Sequence, residues 1–168
     1  VGLVYDDLYV ASMLAALSAL LIAVSVIDLE HRIIPNRITY PAFPVFAAVI
    51  VLGWFLDRPL DPPRAGIGLL AYGGFYFVIA MIAPRGLGMG DVKLAGLIGL
   101  VLGSLGLRYV GVAAGAAILA GGIGAIAALA LGRGRKAAIP FGPYLAAGAV
   151  VAIVWGAPIA AWYLDRIT

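Results

Sequence analysis

Six runs of nearly unbroken apolar residues, at 8–27, 39–56, 65–83, 92–107, 109–131 and 144–164, leave this chain few folds to choose from. A helix needs about 20 such residues to cross the roughly 30 Å hydrocarbon layer of a bilayer, so each run is close to one span. Composition agrees, with 64% of residues hydrophobic and 11% charged, far from the balance of a water-soluble domain. The expected fold is all-α: a polytopic membrane helical bundle of about six transmembrane helices, forming a single membrane-embedded domain over residues 1–168. No alternation of period two is visible, which argues against a membrane β-barrel. Runs four and five meet at Gly106-Leu107-Arg108, where the reading divides between a tight turn and one long bent helix. The chain begins at Val1 without a methionine, which leaves room for residues upstream.

Basic residues sort unevenly among the breaks. Arg32, Arg37, Arg85, Lys93, Arg133, Arg135 and Lys136 border the first, third and fifth loops, and Arg58, Arg64, Arg108 and Arg166 lie on the other face. Seven against four puts the first face in the cytoplasm. The net charge of +3 therefore reads as membrane orientation with attraction to anionic lipid heads. No aromatic-basic pattern points to a nucleic acid. With no cysteine and one histidine, His31, thiol nucleophiles and Cys- or His-ligated metal clusters are excluded, and no metal or cofactor is expected.

Glycine is the other abundant signal. Gly96, Gly99, Gly103 and Gly106 recur at steps of three, four and three, one stripe on a helix. Gly111 and Gly115 repeat the small-residue spacing, followed by Gly121, Gly122 and Gly124. Such stripes let another backbone approach closely, so helix packing is the expected role.

Against this background two aspartates stand out. Asp28 lies in Ile27-Asp28-Leu29-Glu30-His31-Arg32-Ile33-Ile34-Pro35-Asn36, and Asp91 in Gly88-Met89-Gly90-Asp91-Val92-Lys93. Both fall where an apolar run meets water, on the face assigned to the cytoplasm, and a carboxylate there is costly to desolvate without a partner or a task. A helix cap would explain Asp91 alone. Asp28 is required by no cap, which tilts the pair toward catalysis. Two carboxyls at close range cannot both ionise cheaply and so share one proton, one taking a proton from water and the other hydrogen-bonding the carbonyl under attack. With no Ser-His or Cys-His pair, activated water is the nucleophile, and amide hydrolysis fits best. Glu30 and His31 read as solvated, and Asp6, Asp7, Asp57, Asp61 and Asp165 lie on the opposite face. A transporter or ion pathway with acidic relay residues is the alternative, but it calls for acids near the bilayer midplane and an internal repeat.

These residues resemble the type IV prepilin peptidases, a family of membrane aspartic proteases. The resemblance rests on Asp28 to Asn36 with its Ile-Pro-Asn, on Gly88-Met89-Gly90-Asp91-Val92-Lys93-Leu94, and on Pro140-Phe141-Gly142-Pro143-Tyr144. The Gly-x-Gly-Asp element is shared with presenilin-like and signal-peptide-peptidase-like proteases, and Ile-Pro-Asn decides between them. The resemblance implies removal of the short basic leader from type IV prepilins or pilin-like secretion subunits (pseudopilins), at the cytoplasmic face of the bacterial inner membrane. Asp28 and Asp91 match the family's catalytic pair. Longer members carry an N-terminal domain with paired Cys-x-x-Cys motifs and also methylate the new N-terminus. Nothing here matches that domain, which leaves a shortened peptidase or a piece of a longer chain, with methyltransferase activity open.

Roles can be ordered further. Asp28 closes the first run and Asp91 opens the fourth, and a helix C-terminus disfavours an anion while an N-terminus favours one. Asp91 is therefore the expected resting carboxylate and base, and Asp28 the protonated partner. Lys93 reads as a membrane-edge anchor reaching lipid phosphate, with the alternatives of holding the ionised pair or meeting an acidic group on the substrate. Pro35 and Asn36 break the chain between the first two helices and could leave backbone free for an extended substrate. Gly88 and Gly90 supply backbone freedom beside Asp91, and the stretch from Arg85 to Gly90 is the expected mobile element. Pro140, Gly142 and Pro143 read as helix punctuation.

Overall fold

The computed structural model describes residues 7–82, 87–130 and 140–167. They form α1 (Leu8–His31), α2 (Asn36–Phe55), α3 (Pro62–Ile82), α4 (Met89–Leu105), α5 (Leu107–Ala130) and α6 (Gly142–Ile167), with no strand among them. Each apolar run has become one helix.

The breaks have local causes. Asp7 caps α1 by accepting the Tyr9 N–H at 2.8 Å, and α1 stops where Arg32 turns left-handed at φ 54°. Pro35, at φ −66° and ψ 123°, holds the chain extended before α2. Pro62 opens α3, a position where its missing N–H costs nothing. Gly106 stands between α4 and α5 at φ 137°, a conformation that side-chain-bearing residues avoid. That residue settles the junction as a tight turn between two helices.

Contacts between distant segments show the helices running alternately up and down. At one end the Tyr9 hydroxyl donates to the Val49 carbonyl at 2.6 Å, Arg58 pairs with Asp7 at 3.5 Å, and the Asp61 N–H donates to the Ser104 carbonyl at 2.9 Å. At the other end Gly142 reaches Asp28 and Ile34 packs on Gly90. The acids Asp7, Asp57 and Asp61 therefore sit away from Asp28 and Asp91, as does Asp165 in the last turn of α6. Asp6, Arg85, Arg133, Arg135 and Lys136, the run ends at 83 and 131, and the first two residues of the expected mobile stretch lie outside the described residues.

Five of the described helices are long and apolar enough to cross a membrane, and their outward faces carry Ile22, Leu70, Ile82, Leu119, Ile126 and Trp162. This is a multi-pass membrane protein whose lipid-facing surface is hydrocarbon. The sixth helix, α4, has 17 residues and is about 26 Å long, short of the bilayer core. It is the centre of the bundle: 13 of its residues are buried, and it packs against all five others.

Its glycine stripe does this packing. A Cβ on Gly68 of α3 would run into the Gly99 carbonyl oxygen, and one on Gly99 into the Gly68 carbonyl oxygen. One on Gly103 would lie 2.7 Å from the Arg64 carbonyl oxygen, and one on Gly73 3.0 Å from the Gly96 Cα. The α3 and α4 backbones thus touch along their length, which only glycine permits. Gly106 belongs to the turn instead. In α5 the expectation divides: Gly111, Gly115 and Gly122 have nothing within 4 Å of a Cβ position, while Gly121 and Gly124 make room for Phe141 and for Tyr144 of α6.

Candidate active site

The short central helix leaves a recess at one end of the bundle, and both singled-out aspartates line it. The cleft has a volume of about 320 Å3 and is walled by Asp28, Arg32, Ile33, Ile34, Asn36, Gly88, Met89, Gly90, Asp91 and Lys93. Asp28, one turn before the end of α1, is 5% exposed, and Asp91, in the first turn of α4, is 9% exposed. Two separate stretches of chain therefore deliver their carboxyls to one cleft.

Each carboxylate is held by one backbone donor. The Gly88 N–H donates to Asp91 Oδ2 at 3.0 Å, closing the first turn of α4 on itself. The Gly142 N–H, the first of α6, donates to Asp28 Oδ2 at 2.9 Å. In each residue the other oxygen, Oδ1, has no protein donor among the described residues. That leaves one oxygen per aspartate for water or substrate.

Gly142 was expected only as punctuation, and it is a support for Asp28. A Cβ there would sit 2.7 Å from Asp28 Oδ2 and 3.2 Å from its Cγ, so only glycine lets the helix start seat the carboxyl. The signal was a glycine between Pro140 and Pro143, in the motif that carried the resemblance. The contact also revises the expected division of roles. Asp28 lies near the negative end of α1, but it equally faces the positive end of α6, and the two helix ends oppose each other. The asymmetry that made Asp91 the base and Asp28 the acid is thereby offset.

Lys93, expected as a lipid anchor, has protein partners on the rim of the cleft. Its Nζ donates to Asn36 Oδ1 at 2.9 Å and lies 4.5 Å from the centre of the Tyr40 ring. It ties the start of α2 to α4 on the rim of the cleft, where Asn36 provides the acceptor and Tyr40 a cation–π face. Pro35 and Asn36 stand where they were expected, and Gly90 is there because a Cβ would meet Ile34 Cβ at 2.8 Å. Glu30 and His31 are exposed and 3.8 Å apart, as expected for solvated residues. Among the described residues no three His, Asp or Glu side chains gather as metal ligands.

Comparison with known families places residues 15–129 on the model of the type IV leader peptidase family. A prepilin leader peptidase/N-methyltransferase of Bacillus subtilis (strain 168) is 38% identical over 149 residues, covering 87% of this chain and 56% of that protein. One from Aeromonas salmonicida (strain A449) is 32% identical over 156 residues, covering 90% and 52%. One from Stutzerimonas stutzeri is 31% identical over 152 residues, covering 86% and 50%. The chain thus spans about half the length of these curated relatives. No solved structure matches it. With the larger part of its length matched to one family, over the segment that carries Asp28 and Asp91, the chain belongs to the type IV leader peptidase family.

Proposed function

We propose that this chain is an aspartic endopeptidase that removes the short basic leader from type IV prepilins or pseudopilins at the cytoplasmic face of the bacterial inner membrane. The observation that carries the reading is the shared cleft of Asp28 and Asp91 at one end of a membrane-spanning bundle. The relatives' names supply the substrate class.

The chemistry uses one proton held between two carboxyls. The ionised aspartate takes a proton from water as its oxygen adds to the scissile carbonyl carbon. The protonated aspartate donates to the carbonyl oxygen, giving a neutral tetrahedral diol. Proton transfer to the amide nitrogen then lets the C–N bond break, releasing a carboxylic acid and a free amine and returning the pair to its starting state. Burial among apolar helices strengthens these electrostatic interactions relative to water. Membrane placement suits the substrate, because its hydrophobic helix lies in lipid while the bond to be cut must reach a wet site. The relay alternative is disfavoured by the same geometry, since both acids sit at one end of the bundle and not at mid-depth. Methyl transfer is not part of this reading.

Co-expression of the chain with a prepilin tests it. Mass spectrometry is expected to find the pilin shortened by its leader, and a pilin of unchanged mass would remove the proposal. The support of Asp28 gives a second expectation. Gly142→Ala pushes a methyl group against Asp28 Oδ2, and a displacement near 1 Å at a reacting group costs about a hundredfold in rate. A loss of that size in kcat, with an unchanged melting temperature, is the expected result. Cleavage at the wild-type rate would show that Gly142 does not position Asp28.

A further inference from the structure

We propose, resting on the peptidase reading, that the Ile33-Ile34 backbone is the edge on which the substrate lies, paired as an extended strand beside the two aspartates. The segment between α1 and α2 carries the argument. Residues 33–35 belong to no helix, and among the described residues the N–H and C=O groups of Ile33 and Ile34 have no hydrogen-bond partner. The other inter-helix turn of similar length behaves differently. There Leu56, Asp57, Arg58, Leu60 and Asp61 all donate their N–H groups, leaving only Pro59, which has none. Open to water in the free protein, these backbone groups are available to a partner that lies in the cleft.

Position says what the partner is. Ile33 and Ile34 line the same cleft as Asp28 and Asp91. Ile34 is pinned inward, where a Cβ on Gly90 would meet its own Cβ at 2.8 Å, while Ile33 is 59% exposed. That alternation is the habit of a β-strand, fixed at one end by Pro35, which has no N–H and ends the donor row. Gly90 is the residue before Asp91, so the edge is held directly against the helix that carries one aspartate.

The chemistry calls for such an edge. A peptide bond inside a helix has its carbonyl occupied and its faces covered, so the residues around the scissile bond must be unwound before water can add. Unwinding leaves the substrate's own N–H and C=O groups open, and the N–H and C=O of Ile34 pair them again on one edge, those of Ile33 turning to the opposite edge. Side chains of the strand would then alternate between the cleft and water.

The kinetics of Ile34→Pro test the proposal, since proline removes one donor and keeps an extended backbone. With the detergent-purified full chain and a prepilin, KM is expected to rise about tenfold, the worth of one hydrogen bond, with kcat within about threefold by the same reasoning. A variant that melts with the wild type and keeps its KM would overturn the edge while leaving the peptidase reading intact. Should the variant fail to fold, amide hydrogen exchange on Asp91→Asn, which retains the edge, decides the matter. Slower exchange at the Ile34 amide on adding uncut prepilin is expected. Unchanged exchange at the Ile34 amide in the presence of bound prepilin would overturn the proposal.

Discussion

Asp28→Asn and Asp91→Asn are each expected to slow leader removal by at least about a thousandfold, the range lost when an acid–base group that acts as part of a unit is removed. Asparagine is the informative replacement. Its amide oxygen can still accept the Gly142 or Gly88 N–H that seats the aspartate, so the side chain stays in place and only the proton chemistry is lost. In the proposed mechanism one proton is shared between the two carboxyls, so removing either partner disables both. The double variant is therefore expected to be no slower than the worse single variant. Single-turnover cleavage with enzyme in excess, alongside circular dichroism to check helix content, measures this. A helical Asp28→Asn or Asp91→Asn protein that cleaves within tenfold of the wild type would sink the dyad.

Much of this architecture was legible because a bilayer reads sequence so coarsely. Charges and helix breakers near Arg32, Pro35, Asp57 and Gly106 could not stay in hydrocarbon, and the helices end beside them. The common face of Asp28 and Asp91 followed from counting crossings. What stayed hidden depends on which apolar surface meets protein and which meets lipid. Leu97 in α4 is fully buried and Leu119 in α5 is exposed, although both are leucines in apolar helices, because lipid and protein interiors offer the same solvent. Glycine spacing was no better a guide. The stripe of α4 is packed backbone to backbone on α3, while Gly111 and Gly115, with the same spacing, face open space.

The site was hidden in a different way. Asp28 and Asp91 announced themselves as charges in oily sequence, but their supports are single backbone groups. The Gly142 N–H reaches Asp28 across 114 residues of sequence, and no local pattern specifies that approach. Lys93 shows the converse. Its position at a membrane edge predicted a lipid contact and said nothing of Asn36 and Tyr40, which are brought there by the meeting of α2 with α4.

Gly99→Leu is expected to lower the melting temperature of the detergent-purified protein by about 10 °C, from an overpacking cost near 3 kcal/mol in a chain of this size. The size follows from what the new side chain meets. A Cβ at Gly99 would run into the Gly68 carbonyl oxygen and lie 3.0 Å from Tyr72 Cβ. These atoms belong to the α3 backbone and the stem of a buried side chain, so no rotamer change relieves them, and the two helices must separate. Because α4 also carries Asp91, the separation moves one carboxyl relative to the other, and cleavage falls with stability. Gly74→Ala is the matched control within α3, since nothing lies within 4 Å of a Cβ there. Alanine at that position is expected to leave the melting temperature unchanged or raise it slightly, as the better helix former. Thermal scans of both variants separate packing from propensity. If Gly99→Leu melts with the wild type while Gly74→Ala does not, α3 and α4 do not meet along the glycine stripe, and that packing does not fix the helix that carries Asp91.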